Sequence, residues 1–210
     1  MRDAPPRAVL LTGFEPFDGQ AMNASWAAVQ AVASEWAERP PLVVVQLPVS
    51  FRRARQVLRA AVAEHSPRLV VCVGEAAGRS AVCLERAAAN LIDAAVPDND
   101  GSAPRGVPVI AGAPAELPPT LPIVECLAAG LATGVPFEVS PSAGGYVCNA
   151  TFYALMHLLQ RSPDVRAGFV HVPRTPEQVP PGRPAMATSD AATALTAIIR
   201  AALVSPARRR

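Results

Sequence analysis

The chain has 210 residues, half of them hydrophobic and 17% charged, which suits one medium domain with a full core and excludes a disordered chain. Nineteen basic against 17 acidic residues leave a net charge of +2, too weak to argue for nucleic acid, and the one dense basic run, Arg208-Arg209-Arg210, reads as a disordered tail over 205–210. No apolar run reaches the ~20 residues that span a bilayer, the first residues lack a signal-peptide stretch, and four cysteines without CxxC spacing read as free thiols in a reducing cytoplasm.

Strands and helices alternate along the chain. Residues 8–12 are a continuous apolar run, the mark of a strand buried on both faces. A loop follows from Gly13, and Asn23 caps a helix with Trp26, Val29, Val32 and Trp36 on one face. Residues 42–45 form the next strand. Phe51, Ala54, Val57, Leu58, Ala61 and Val62 fall at helical spacing, and Pro67 stops that helix. Residues 69–73 make a third buried strand, closed by Gly74. Residues 80–93 hold one or two strands. Residues 96–122 are rich in Pro, Gly and Asp, a connection long enough to suggest function. A helix over 123–133, a strand over 136–140, a helix over 149–160 and a strand over 167–172 come next. A proline-rich crossing at 175–189 leads to a last helix that buries Leu195, Ile198, Ile199 and Ala202. The pattern predicts one α/β/α sandwich, a single domain over 1–210 around a largely parallel twisted sheet. Sites in such sheets lie at the strand carboxyl ends, where Gly13-Phe14, Gly74-Glu75 and His171-Val172 fall.

Cys148 carries the most information. It follows Gly144-Gly145-Tyr146-Val147 and precedes a helix, where the positive end of the dipole and unpaired N–H groups favour a thiolate. The bland alternative is a small buried hydrophobe, the expected fate of Cys72. Of three histidines, His65 ends a helix and is expected exposed. His157 is more than two turns from Cys148 on the same helix. His171, on an apolar strand, reads equally as a base or as a satisfied core histidine. Glu85 lies in apolar surroundings and needs a partner, either Arg86 or His171. Cys, His and Glu supply a nucleophile, a base and an orienting group. Asp98-Asn99-Asp100-Gly101 is a turn rather than a calcium loop, and no phosphate loop or zinc spacing occurs, so neither a metal nor a nucleotide cofactor is expected.

Several segments together resemble the type I pyroglutamyl peptidases, also called pyrrolidone carboxyl peptidases. They are Leu11-Thr12-Gly13-Phe14-Glu15-Pro16-Phe17, Asn23-Ala24-Ser25-Trp26, Gly78-Arg79, Glu85-Arg86-Ala87-Ala88-Ala89-Asn90, Pro97-Asp98-Asn99, Ser142-Ala143-Gly144-Gly145-Tyr146-Val147-Cys148-Asn149 and Phe169-Val170-His171-Val172-Pro173. They run in family order over nearly the whole chain. The resemblance implies a cytoplasmic cysteine peptidase without cofactor, often a homotetramer, that removes N-terminal pyroglutamate through a thioester. It implies Cys148 as nucleophile, His171 as base and Glu85 as orienter. It also implies a substrate site of Phe14, Phe17, Glu75, Val96, Tyr146 and Val147, with the 74–75 backbone meeting the lactam amide. Glu75, Ala95 and Arg174 depart from the family pattern. Two rivals accompany this reading: an amidase of another cyclic or blocked N-terminus, and a small-ligand binding protein on a phosphorylase-like scaffold, since fold alone does not fix function.

Overall fold

The computed structural model describes residues 7–205. The main sheet has six strands in the order β2-β1-β3-β8-β4-β7. These are β1 (Val9–Phe14), β2 (Leu42–Leu47), β3 (Leu69–Ala76), β4 (Val82–Glu85), β7 (Phe137–Ser140) and β8 (Arg166–Pro173). β2, β1, β3 and β8 run parallel, while β4 pairs antiparallel with β8 and parallel with β7. A separate two-stranded ribbon joins β5 (Ala88–Ala89) to β6 (Glu116–Leu117).

Five helices cover the two faces. Leu10, Val70, Cys72, Ala167 and Phe169 pack with α2 (Arg53–His65) and α4 (Val147–Leu159). Val9, Leu11, Leu69, Val71, Val170 and Val172 pack with α1 (Ala24–Glu35), α3 (Ile123–Leu131) and α5 (Thr188–Val204). Successive residues of one strand thus feed opposite cores, which is why these strands are apolar throughout and do not alternate. The expected three-layer sandwich is present.

Several boundaries differ from the sequence expectations. β3 does not close at Gly74 but runs to Ala76, because β8 stays paired with it up to Pro173. β1 likewise runs past Gly13 to Phe14, paired with Leu47. A side chain at position 13 would fall 2.9 Å from backbone atoms of Ser25 and Trp26, so glycine lets α1 sit against this strand end. The 96–122 connection is ordered by turns, by β6 and by a bridge between Ile92 and Val107. Its Asp98 turn is an Asx turn: Oδ1 accepts from the Asp100 and Ser102 amides, and Oδ2 accepts from the Phe51 amide at the start of α2. Ser205, expected in the tail, caps α5 through an N–H bond to Ala201 O. The rest of that tail, 206–210, lies outside the described residues.

Candidate active site

Strand alternation selects the side chains of the site. On β3 Cys72 and Gly74, on β8 Phe169 and His171, and on β4 Cys83 and Glu85 all face the layer holding α4, while their neighbours face the other core. Gly74 and His171 are register partners across β3 and β8. α4 begins at Val147, two residues earlier than expected, so Cys148 lies in its first turn. Asn149 anchors this helix start, accepting from Ala89 N and donating to the Ala89 and Leu91 carbonyls.

The Cys148 sulfur is turned inward onto the strand pair that carries His171: a side chain at Gly74 would sit 2.8 Å from Sγ and 2.9 Å from the Phe169 ring. Gly74→Ala is therefore expected to displace the thiol and lower kcat roughly a hundredfold, since about 1 Å of misplacement suffices for that. Steady-state kinetics beside a thermal melt check this: a loss of kcat no larger than the loss of folded protein refutes the contact.

Glu85 is fully buried, and His171 is 5% exposed. Glu85 Oε1 lies 2.7 Å from His171 Nδ1 and 3.0 Å from Arg79 Nη1. The carboxylate thus holds the ring by Nδ1 and leaves Nε2 free to exchange a proton. Its other oxygen, Oε2, has no partner among the described residues. The cation is Arg79, not the adjacent Arg86, which is exposed. Neighbours along a strand point to opposite faces, so Arg86 was excluded by periodicity once 82–85 is read as a strand. Arg79, six positions upstream in a turn, carries no such local signal.

The helix N-terminus does not leave Cys148 ionised. Burial pushes its thiol up to about 12; the charges of Glu85 and Glu75 add to this and Arg79 opposes it. Burial also pushes Cys72 and Cys126 up to about 12. What distinguishes Cys148 is therefore its neighbours. It is half-buried, lines a cavity and packs on Gly74, the register partner of His171, whereas the other three are fully buried. Among the unpaired amides expected in the first turn of α4 is the Cys148 N–H, since Ala150 is the first to reach back within the helix, to Tyr146 O.

A cavity of about 260 Å³ opens over the sulfur. Phe14, Phe17, Tyr146 and Val147 make its apolar side, and Asp18, Glu75 and Arg174 its ionic side. The Phe17 and Tyr146 rings lie 5.3 Å apart, and Tyr146 donates to Pro97 O. Five of the six expected substrate residues therefore converge. Val96 does not line the cavity and is 47% exposed. Asn23, Val49 and Ala77 also line it without having been anticipated. His65 is half-buried at the end of α2, and His157 stacks on Tyr153 and lines a different cleft, between α2 and α4.

The model of the pyroglutamyl peptidase family matches residues 7–205. The chain is 48% identical to a pyrrolidone-carboxylate peptidase of Clavibacter michiganensis over 94% of this chain and 93% of that protein. It is 47% identical to one of Gloeobacter violaceus over 85% and 88%. It also superposes on the crystal structure of pyroglutamyl peptidase I from Bacillus amyloliquefaciens with a TM-score of 0.90 at 39% identity, covering 95% of this chain and 98% of that one.

Proposed function

The chain belongs to the pyroglutamyl peptidase family, and we propose that its reaction runs through Cys148, His171 and Glu85. It is a cysteine peptidase that hydrolyses the N-terminal pyroglutamyl residue from peptides. The observation that carries the residue assignment is the buried Glu85–His171 contact at 2.7 Å beside the inward-turned Cys148 sulfur.

The chemistry follows from that geometry. His171 Nε2 takes the Cys148 proton, and the thiolate attacks the pyroglutamyl carbonyl. The Cys148 amide stabilises the oxyanion that forms. The imidazolium then protonates the departing amine, leaving a thioester. Water, deprotonated by the same nitrogen, releases pyroglutamate and returns the thiol. Glu85 holds the ring tautomer and stabilises the imidazolium without itself taking a proton.

Substrate choice follows from the cavity. A lactam is flat and neutral, matching the Phe14, Phe17 and Tyr146 side. Glu75 already accepts from Arg174, Ala24 N and Gln178, and Arg174 also faces Asp18, so both cavity carboxylates are engaged by a guanidinium rather than presented to an α-ammonium. A pyroglutamyl arylamide is expected to be cleaved at least a hundredfold better in kcat/KM than the prolyl arylamide, because a buried ammonium without an acceptor is costly. Release of the fluorescent amine measures this; comparable rates refute the lactam reading.

The chain works as one catalytic domain, since residues from β1 to β8 meet in one cavity. We place it in the cytoplasm on its four free cysteines. We read it as a homo-oligomer, a tetramer as in the family pattern, on the exposed Leu91, Val96, Val107 and Leu158.

A further inference from the structure

Glu75 and Arg174, 99 positions apart, meet in the wall of the catalytic cavity. Arg174 Nε donates to Glu75 Oε1 at 2.8 Å. Glu75 Oε2 accepts from Ala24 N at 2.7 Å and from Gln178 Nε2 at 2.8 Å. The Glu75 side chain is 11% exposed and that of Arg174 19%. One carboxylate therefore ties together the end of β3, the first turn of α1, the chain leaving β8 and the 3-10 turn Pro176–Gln178. That turn is fixed in its own right by a capping box between Thr175 and Gln178.

A negative charge in this wall has no evident use in the reaction. The substrate ring is neutral, and a carboxylate near the sulfur holds the thiol in its unreactive form. Removing it from Glu75 alone leaves the half-buried guanidinium of Arg174 only the exposed Asp18 carboxylate, 3.5 Å away, while removing Arg174 alone strands the Glu75 carboxylate in the wall of the nucleophile's cavity.

We propose that Glu75 and Arg174 act as one positioning unit, in which Arg174 counter-charges the Glu75 carboxylate in the wall of the Cys148 cavity and locks the strap after β8 against α1. The pair touches neither reacting atom and works through the thiol and the cavity shape. This rests on the assignment of Cys148 as the nucleophile in this cavity.

Other charges bear on the same thiol. Besides Glu75 and Arg174, Glu85 from β4 and Arg79 from the turn between β3 and β4 act on Cys148, the neutral Cys72 thiol of β3 lies near it, His171 on β8 is the register partner of Gly74, on which Cys148 packs, and Asp18 and Tyr146 line the same cavity. All of these stay in place when the pair is changed. Arg174→Gln leaves Glu75 uncompensated, so the pH-dependent rise in Cys148 reactivity moves to higher pH. Glu75→Gln leaves Arg174 only its exposed partner Asp18, so the rise moves to lower pH.

The test compares wild type, Glu75→Gln, Arg174→Gln and the double variant in the full chain. Iodoacetamide labelling of the Cys148 peptide is followed by mass spectrometry across pH, and kcat and KM are measured with a pyroglutamyl arylamide. At fixed pH, labelling is expected to slow roughly three- to tenfold in Arg174→Gln and to quicken by a similar factor in Glu75→Gln. The double variant is expected to recover about tenfold in kcat/KM over Arg174→Gln, a coupling of the size found between contacting residues. Arg174→Lys, which keeps the charge, is expected to hold the labelling profile near that of wild type. Labelling profiles that do not shift in opposite directions, or a double variant no better than Arg174→Gln, overturn the proposal. If Arg174→Gln fails to fold, the downward shift in Glu75→Gln decides it alone. Labelling does not require turnover, so these outcomes stand apart from Cys148→Ala, which tests the nucleophile assignment itself.

Discussion

Cys148→Ala is expected to lower kcat by on the order of 10⁴- to 10⁶-fold, the scale seen when the nucleophile of a triad is deleted. The substitution removes a single sulfur from a half-buried position in the first turn of α4, where alanine is a good helix former. Asn149, which anchors that turn to β5, is untouched. The fold therefore survives, and so does the lactam slot of Phe14, Phe17 and Tyr146. The measurement is release of a fluorescent amine from a pyroglutamyl amide, with circular dichroism to confirm folding and competition by free pyroglutamate to confirm an intact slot. A folded variant within tenfold of wild type removes Cys148 as the nucleophile. The three remaining cysteines cannot substitute for it, because Cys72, Cys83 and Cys126 are fully buried.

This result also bears on how far a sequence reveals a site. The strands expected at 8–12 and 69–73 were legible because burial on both faces writes an uninterrupted apolar run, a signal that needs no knowledge of the partner strands. Cys148 was legible because a glycine pair leading into a helix is a local feature. Its protonation was not legible. The helix dipole is encoded nearby and favours the thiolate, whereas the burial and carboxylates that outweigh it come from β3 and β4. Arg79 and the Glu75–Arg174 pair were illegible for the same reason, since only folding brings a turn arginine or a residue 99 positions away to a particular carboxylate. Position 96 failed in the opposite sense: the resemblance placed Val96 at the substrate, while the fold leaves it 47% exposed and away from the cavity lining.

Glu85→Gln is expected to lower kcat by about 10³- to 10⁴-fold with little change in KM, the effect of losing the ionised partner of a catalytic histidine. The loss is large because the resting thiol is neutral. With the Cys148 pKa near 12, the thiolate is scarce at neutral pH and forms only as His171 takes its proton. The ion pair so produced is stabilised by Glu85, whose Oε1 sits 2.7 Å from Nδ1. An amide at position 85 keeps the shape but removes the charge. It can also turn its NH₂ toward Nδ1, which selects the tautomer with Nε2 protonated and leaves no base facing the sulfur. The same change strips Arg79 of its only carboxylate partner among the described residues, and breaking so buried a pair costs about 3–5 kcal/mol. A melt is therefore needed beside the kinetics. The charge effect separates from mere destabilisation by its size relative to the loss of folded protein. Without the Glu85 charge the His171 imidazolium, and with it the Cys148 thiolate, is less stable, so neutral alkylation of Cys148 is expected to slow in folded protein while turnover collapses. If alkylation and turnover fall only in proportion to unfolded protein, Glu85 is a structural group and not the partner that makes His171 a base.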